Sequence, residues 1–311
     1  MSIFITFVLM VLLFIVLGFG ADLVVFNLKE IGNKLGLKLF FLGMILGVVT
    51  SLPELAVGIN SAIRGLPAIS AGNLLGGIIV LFGLVLGTSL LLHKEVKTDG
   101  EIKSFLPVAL IIILPIFLSL DGKLGIFDGT LMILVYLILL WFIYRQSKIL
   151  ELPTVEIVVE KTVSKEIVYV FSGLVLIIFS SSLIVRLAEQ LLTIFYISPL
   201  LVGLLIFAIG TNLPEITVAF KAWRRKSSEL SVSNLIGSAA ANIFVLGIVS
   251  SLSEINILLN KEFLLLSGTL IILSILFSIF YKTGKKFSNI EGSVLLAIYC
   301  LFLFLQYYLI F

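Results

Sequence analysis

Charge is scarce in this chain. Asp, Glu, Lys and Arg make up 13% of its 311 residues, against about 25% in an ordinary soluble domain. One cysteine, Cys300, excludes an internal disulfide; within its apolar run it is expected to be a small packing residue. One histidine, His93, ends an apolar segment and leaves no histidine pair or metal triad for hydrolytic chemistry. Apolar residues reach 60% and the mean hydropathy is +1.26. No soluble core absorbs that much apolar sequence, so the surrounding solvent is lipid. The net charge of +3 says little by itself, since the placement of charge matters more, and no nucleic-acid partner is expected. The N-terminus lacks a basic leader, and its apolar run is long enough to span a bilayer, unlike a signal peptide.

A membrane helix needs roughly 20 mostly apolar residues. Candidate spans lie at about 2–25, 39–62, 70–93, 104–120, 125–145, 167–190, 198–221, 231–252, 261–281 and 289–310. The expected fold is all-α and polytopic: ten transmembrane helices in two five-helix halves, residues 1–146 and 167–311. The polar stretch RQSKILELPTVEIVVEKTVSKE supplies a cytoplasmic linker over 147–166. Of the 21 Lys and Arg residues, 17 fall on connections 1–2, 3–4, 5–6, 7–8 and 9–10. Only Arg64, Lys123, Arg186 and Lys261 fall on the other side. The basic side is expected to be cytoplasmic, with both termini outside, in the cell membrane.

Two of these apolar runs carry a proline and a glutamate, both unwelcome in a membrane helix. TSLPEL begins at Thr50 and TNLPEI at Thr211. A shift of 161 residues lays Thr50, Leu52, Pro53 and Glu54 on Thr211, Leu213, Pro214 and Glu215. Without a gap, the same shift lays Ser70, Asn73, Leu74 and Gly76 on Ser231, Asn234, Leu235 and Gly237. One register across two helices marks an internal repeat. Five spans separate the copies, so the second crosses the membrane in the opposite sense, as in secondary transporters with a midplane site.

Pro53 cannot donate to the Val49 carbonyl, nor Pro214 to that of Gly210, so carbonyls near Thr50 and Thr211 are expected to leave the helix ladder. Such carbonyls are tolerated at membrane depth only where they face a polar cavity. Glu54 and Glu215 lie one turn on from the two threonines. Each half thus offers a carboxylate, a hydroxyl and carbonyls at one depth, and facing copies make an oxygen cage with a charge near −2. A carboxylate at that depth costs about 3 kcal/mol, too much for a packing residue. Calcium suits a flexible cage of about 6–8 oxygens, and magnesium, which keeps its water, suits it less. Sodium fits the same shell. Two glutamates balance one calcium or two sodium ions, and competition for a shared charge is the basis of exchange. No enzyme activity and no resident cofactor are expected.

These residues resemble the two alpha repeats of the cation/calcium exchanger superfamily, which includes the sodium/calcium exchangers. The family pattern is G-[TN]-S-x-P-E on one helix and G-N-x-x-G-S-N-x-x-N on the next. Here the copies read GVVTSLPE and AIGTNLPE, then GNLLGGIIVLFG and SNLIGSAAANIFVLG. The resemblance spans nearly the whole chain. It implies an antiporter moving calcium one way against sodium, or protons, the other way, with spans 1 and 6 sliding over a core formed by the repeats. It implies ion ligands at Glu54, Glu215, Thr50, Thr211, Ser51, Asn212, Ser238, Asn242, Asn73 and Asn234. Asn234, Ser238 and Asn242 recur every four residues, but their counterparts are Asn73, Gly77 and Leu81, and Ala239 replaces a further usual asparagine. In the family that outer shell serves sodium. Fewer sodium sites, an altered stoichiometry, protons as counter-ion, a sodium/proton exchanger in which calcium is not the substrate, and a homologue that no longer transports all stay open.

Among the other features, Asp22 reads as an interfacial carboxylate near the inner end of span 1. KAWRRK at 221–226 reads as an orientation signal with an interfacial tryptophan. Gly43, Gly47, Gly72, Gly76, Gly83 and Gly87 are expected to permit close helix approach. No calcium-sensing loop is present, so regulation by cytosolic calcium is not expected.

Overall fold

The computed structural model describes residues 3–35, 48–93, 95–97, 102–147, 163–217, 232–282 and 286–310. The 147–166 linker falls largely outside them, as do KAWRRK, Gly43 and Gly47. The helices are α1 (Ile3–Lys34), α2 (Leu52–Ile63), α3 (residues 67–93), α4 (Ile102–Leu118), α5 (Ile126–Ser147), α6 (Ser164–Phe195), α7 (Pro199–Thr211), α8 (Val232–Leu252), α9 (Lys261–Lys282) and α10 (Asn289–Ile310). Six helices among the described residues are long and apolar enough to cross a membrane.

Two helices exceed their expected spans. α1 runs on to Lys34 and α6 covers 32 residues rather than 167–190. At about 1.5 Å per residue each is about 48 Å long, well beyond a hydrocarbon core of about 30 Å. Their polar ends continue as helix because no proline interrupts them. Asn27 Nδ2 donates back to the Leu23 carbonyl (2.7 Å), and Lys34 of α1 pairs with Glu166 of α6 (3.1 Å). α6 ends where Tyr196 turns left-handed (φ 53°). Ser198 then caps α7, its hydroxyl oxygen accepting from the Leu201 N–H (3.2 Å) ahead of Pro199.

α1 and α6 lie along one another, with Met10, Phe14, Leu17 and Val24 against Ile177, Ile184, Val185 and Leu191, in an apolar cluster that also takes in Val57 of α2, Ile69 of α3 and Val202 and Phe207 of α7. The backbones approach closely at Gly20 and Gly173: a Cβ on Gly20 would lie 3.0 Å from the Gly173 carbonyl oxygen. The larger cluster joins α3, α4, α5, α8, α9 and α10. α3 is its axis, 83% of its most apolar stretch being buried, against 28% for α1 or α6.

Short antiparallel ribbons tie helix ends together. β1 (Glu95–Lys97) pairs with β4 (Lys286–Ser288), and β2 (Lys123–Leu124) with β3 (Ile255–Asn256). The 161-residue shift lays β1 beside β3 and β2 beside β4, so each ribbon is the other's counterpart with the repeats exchanged. One ribbon joins two connections from the basic side, the other two from the opposite side. Cys300 corrects an expectation, since it is exposed on α10 rather than packed.

Candidate cation site

The two motif copies break their helices alike. Ser51 stands at φ −92°, ψ 12° and Asn212 at φ −90°, ψ 12°. A new helix starts just after each break, at Leu52 and at Leu213. Pro53 therefore sits in the first turn of α2, where its missing N–H has no partner to lose. Glu54 falls in the same turn, beside the positive end of the half-helix. Several carbonyls at the second break are used rather than open. Gly210, expected to be freed by Pro214, takes the Asn212 N–H, Phe207 takes the Thr211 hydroxyl (3.1 Å) and Ala208 takes Asn212 Nδ2 (2.8 Å). Short polar side chains return to the turn that proline opened.

α3 and α7 cross with their main chains in contact. A Cβ on Gly72 would overlap the Leu200 carbonyl oxygen, and one on Gly203 would overlap that of Ile69. Gly72 was expected to allow close approach; Gly203, its partner in the other repeat, was not singled out. A π-helical turn at Gly203–Phe207 and another at Val80–Leu86 adjust the helices on either side of the crossing. The crossing brings Asn73 of α3 to Thr211, whose hydroxyl donates to Asn73 Oδ1 (3.0 Å). Thr211 and Glu215 of the second repeat both lie near the Glu54 carboxylate. Groups from both repeats thus meet in one buried region.

Glu54 Oε2, Glu215 Oε2, Asn73 Nδ2 and Ser70 Oγ are buried without a hydrogen-bond partner. An unpaired buried oxygen costs about 1–3 kcal/mol, and a cation or a proton on these carboxylates removes that cost. Among the described residues, no three His, Cys, Asp or Glu side chains converge. A cation between the two glutamates would complete its shell with hydroxyl and carbonyl oxygens. Asp22 of α1 is exposed, but its charge reaches Glu215 across the seam where Gly18 faces Pro214.

The remaining expected ligands divide. Asn242, buried on α8, donates from Nδ2 to the Leu74 carbonyl of α3 (3.2 Å), and Asn212 is buried beside it across Gly77. Ser51 is buried at the first break, while Thr50 and Ser238 are half-buried. The Asn234 side chain lies outside the described residues. Two features escaped sequence reasoning. Ser70 faces Gly58 across the α2–α3 contact, one turn from Asn73. A polar ladder also links α2 to α6: Asn60 donates to Ser181 (3.0 Å), and Arg64 reaches Ser182 (3.5 Å) and Glu189 (3.3 Å). A serine run on an otherwise apolar helix was its only signal.

Residues 5–145 and 165–308 match the sodium/calcium exchanger protein family. A membrane protein of Methanocaldococcus jannaschii is 28% identical over 92% of this chain and 92% of its own length. The sodium/calcium exchanger MaX1 of Methanosarcina acetivorans is 24% identical over 98% of this chain and 99% of its own. The sodium-calcium exchanger NCX_Mj, solved after soaking with sodium and strontium, superposes with a TM-score of 0.65 at 25% identity, covering 96% of this chain and 98% of that one. Both repeats, the apolar helices and the matched fold agree. The chain is an integral membrane protein of the sodium/calcium exchanger family, a family of transporters.

Proposed function

We propose that the protein is a secondary antiporter that exchanges calcium for sodium, with Glu54 and Glu215 sharing one dehydrated divalent ion at mid-membrane. Thr211 and Thr50 supply hydroxyl oxygens from the two repeats. The observation that carries this reading is the buried, unpartnered oxygen on each glutamate, in the region where the Thr211 hydroxyl meets Asn73 across the repeats (3.0 Å). The emptied pair of carboxylates is too costly to carry through the membrane, so one ion leaves only as another arrives. The α1–α6 pair slides over the remaining helices to open the site to each side in turn. The charge bias puts the basic connections in the cytoplasm and both termini outside the cell membrane.

The test is calcium flux in proteoliposomes. Glu54→Gln and Glu215→Gln are each expected to abolish it while leaving the protein folded. Normal flux in both would sink the two-glutamate site. A second reading keeps the site and exchanges calcium for protons, and the unpartnered Oε2 atoms favour it because no donor occupies the place where a proton would bind. Calcium uptake driven by a sodium gradient alone, then by a pH gradient alone, separates the two.

A further inference from the structure

Gly77 lies one turn past Asn73 on the same face of α3. A Cβ there would meet Asn242 Nδ2 at 2.8 Å and Asn212 Nδ2 at 3.1 Å. The nitrogen end of each amide is set by its acceptor: the Leu74 carbonyl takes Asn242 Nδ2 (3.2 Å), and the Ala208 carbonyl takes Asn212 Nδ2 (2.8 Å). A carbonyl oxygen only accepts, so turning either amide over would set oxygen against oxygen. The space that Gly77 leaves is therefore bounded by two N–H donors. Leu81, next along this face, is fully buried and offers no oxygen.

A bare cation needs lone pairs, and amide hydrogens carry the wrong sign. To seat an ion beside Gly77, both amides would have to swing away and forfeit their bonds to Leu74 and Ala208. We infer that the Asn212–Asn242 amide pair closes this flank to cations, so the protein exchanges one divalent ion for two monovalent ions and moves no net charge. The inference rests on the two-glutamate reading and holds for sodium and for protons alike. One calcium or two monovalent ions neutralise Glu54 and Glu215 equally, and beside Gly77 a third monovalent ion finds no oxygen shell. No third carboxylate converges with Glu54 and Glu215 among the described residues.

The experiment reads calcium accumulation in proteoliposomes whose membrane potential is set with potassium and valinomycin. Accumulation is expected to reach the same level at inside-negative, zero and inside-positive potentials. A level that follows the potential overturns the inference and leaves the antiporter reading intact. Asn242→Asp replaces a donor with a carboxylate at the flank, and its exchange is expected to become sensitive to potential. An active Asn242→Asp protein that stays insensitive overturns the inference. Sodium displacement of calcium from the purified wild-type protein decides the matter independently of that variant. Second-order dependence on sodium or lower supports the inference, and third-order dependence overturns it. Absence of all flux in the wild-type protein sinks the antiporter reading, and the displacement order then still judges the closed flank.

Discussion

Thr211 carries one hydroxyl proton and has two acceptors, Asn73 Oδ1 and the Phe207 carbonyl. It can satisfy one of them fully at a time, so its hydroxyl is poised to turn and present its oxygen when a cation arrives. Thr211→Val keeps the shape and removes the oxygen. Calcium affinity is expected to fall about tenfold, equivalent to about 1.4 kcal/mol, while Thr211→Ser stays near wild type. Calorimetric titration with calcium checks this, and equal affinity for the valine and serine variants would remove Thr211 from the ligand set. The threonine and the glutamate were both legible as members of a repeated motif. The hydrogen bond between Thr211 and Asn73 was not, because 138 residues separate them and their meeting depends on how α3 and α7 rotate.

At the scale of helices, the Gly72–Gly203 crossing sets the depth at which the two repeats meet. A side chain at either position would press on a main-chain carbonyl, which cannot move aside as a flexible side chain can. Gly72→Val is expected to destabilise the protein by about 3 kcal/mol, the upper end of overpacking costs. A lower apparent melting temperature in detergent and a weakened calcium site should appear together. Unchanged melting would mean that α3 and α7 do not meet there. The breaks before Pro53 and Pro214 were legible because proline acts on its own turn. Their outcome was not: each proline opens a new helix instead of kinking an old one, and at the second break the Thr211 and Asn212 side chains take up carbonyls of the opened turn. Gly72 was legible as a small residue on a membrane helix, whereas its partner Gly203 has no glycine at the matching position of the first repeat.

At the scale of the whole molecule, the α1–α6 pair packs on a body built around α3, in part through apolar contacts such as Phe14 on Phe207. Between them runs the ladder from Asn60 and Arg64 to Ser181, Ser182 and Glu189. Polar contacts exchange with water or with new partners at less cost than interlocked apolar side chains, which suits a surface that slides. Cross-linking tests the proposed motion. In a Cys300→Ser background, Asn60→Cys with Ser181→Cys joins the two bodies and is expected to arrest exchange. Lys34→Cys with Glu166→Cys joins α1 to α6 within one body and is expected to leave exchange intact. Equal activity in both oxidised proteins would show that the pair does not move against the rest.

The sequence alone determined the lipid setting, the helical spans, their orientation bias, the repeat and its two glutamates. Each follows from local properties: the run of apolar residues, the placement of Lys and Arg, the missing proline donor, and the cost of a charge in hydrocarbon. Tertiary structure alone decided that Thr211 meets Asn73, that two amide nitrogens rather than oxygens border Gly77, and that ribbons from opposite repeats close the helix ends. Those outcomes depend on the rotation and crossing of helices far apart in the chain. Apolar periodicity sets only which face of a helix turns inward, and steric fit between remote residues selects the partner that it meets.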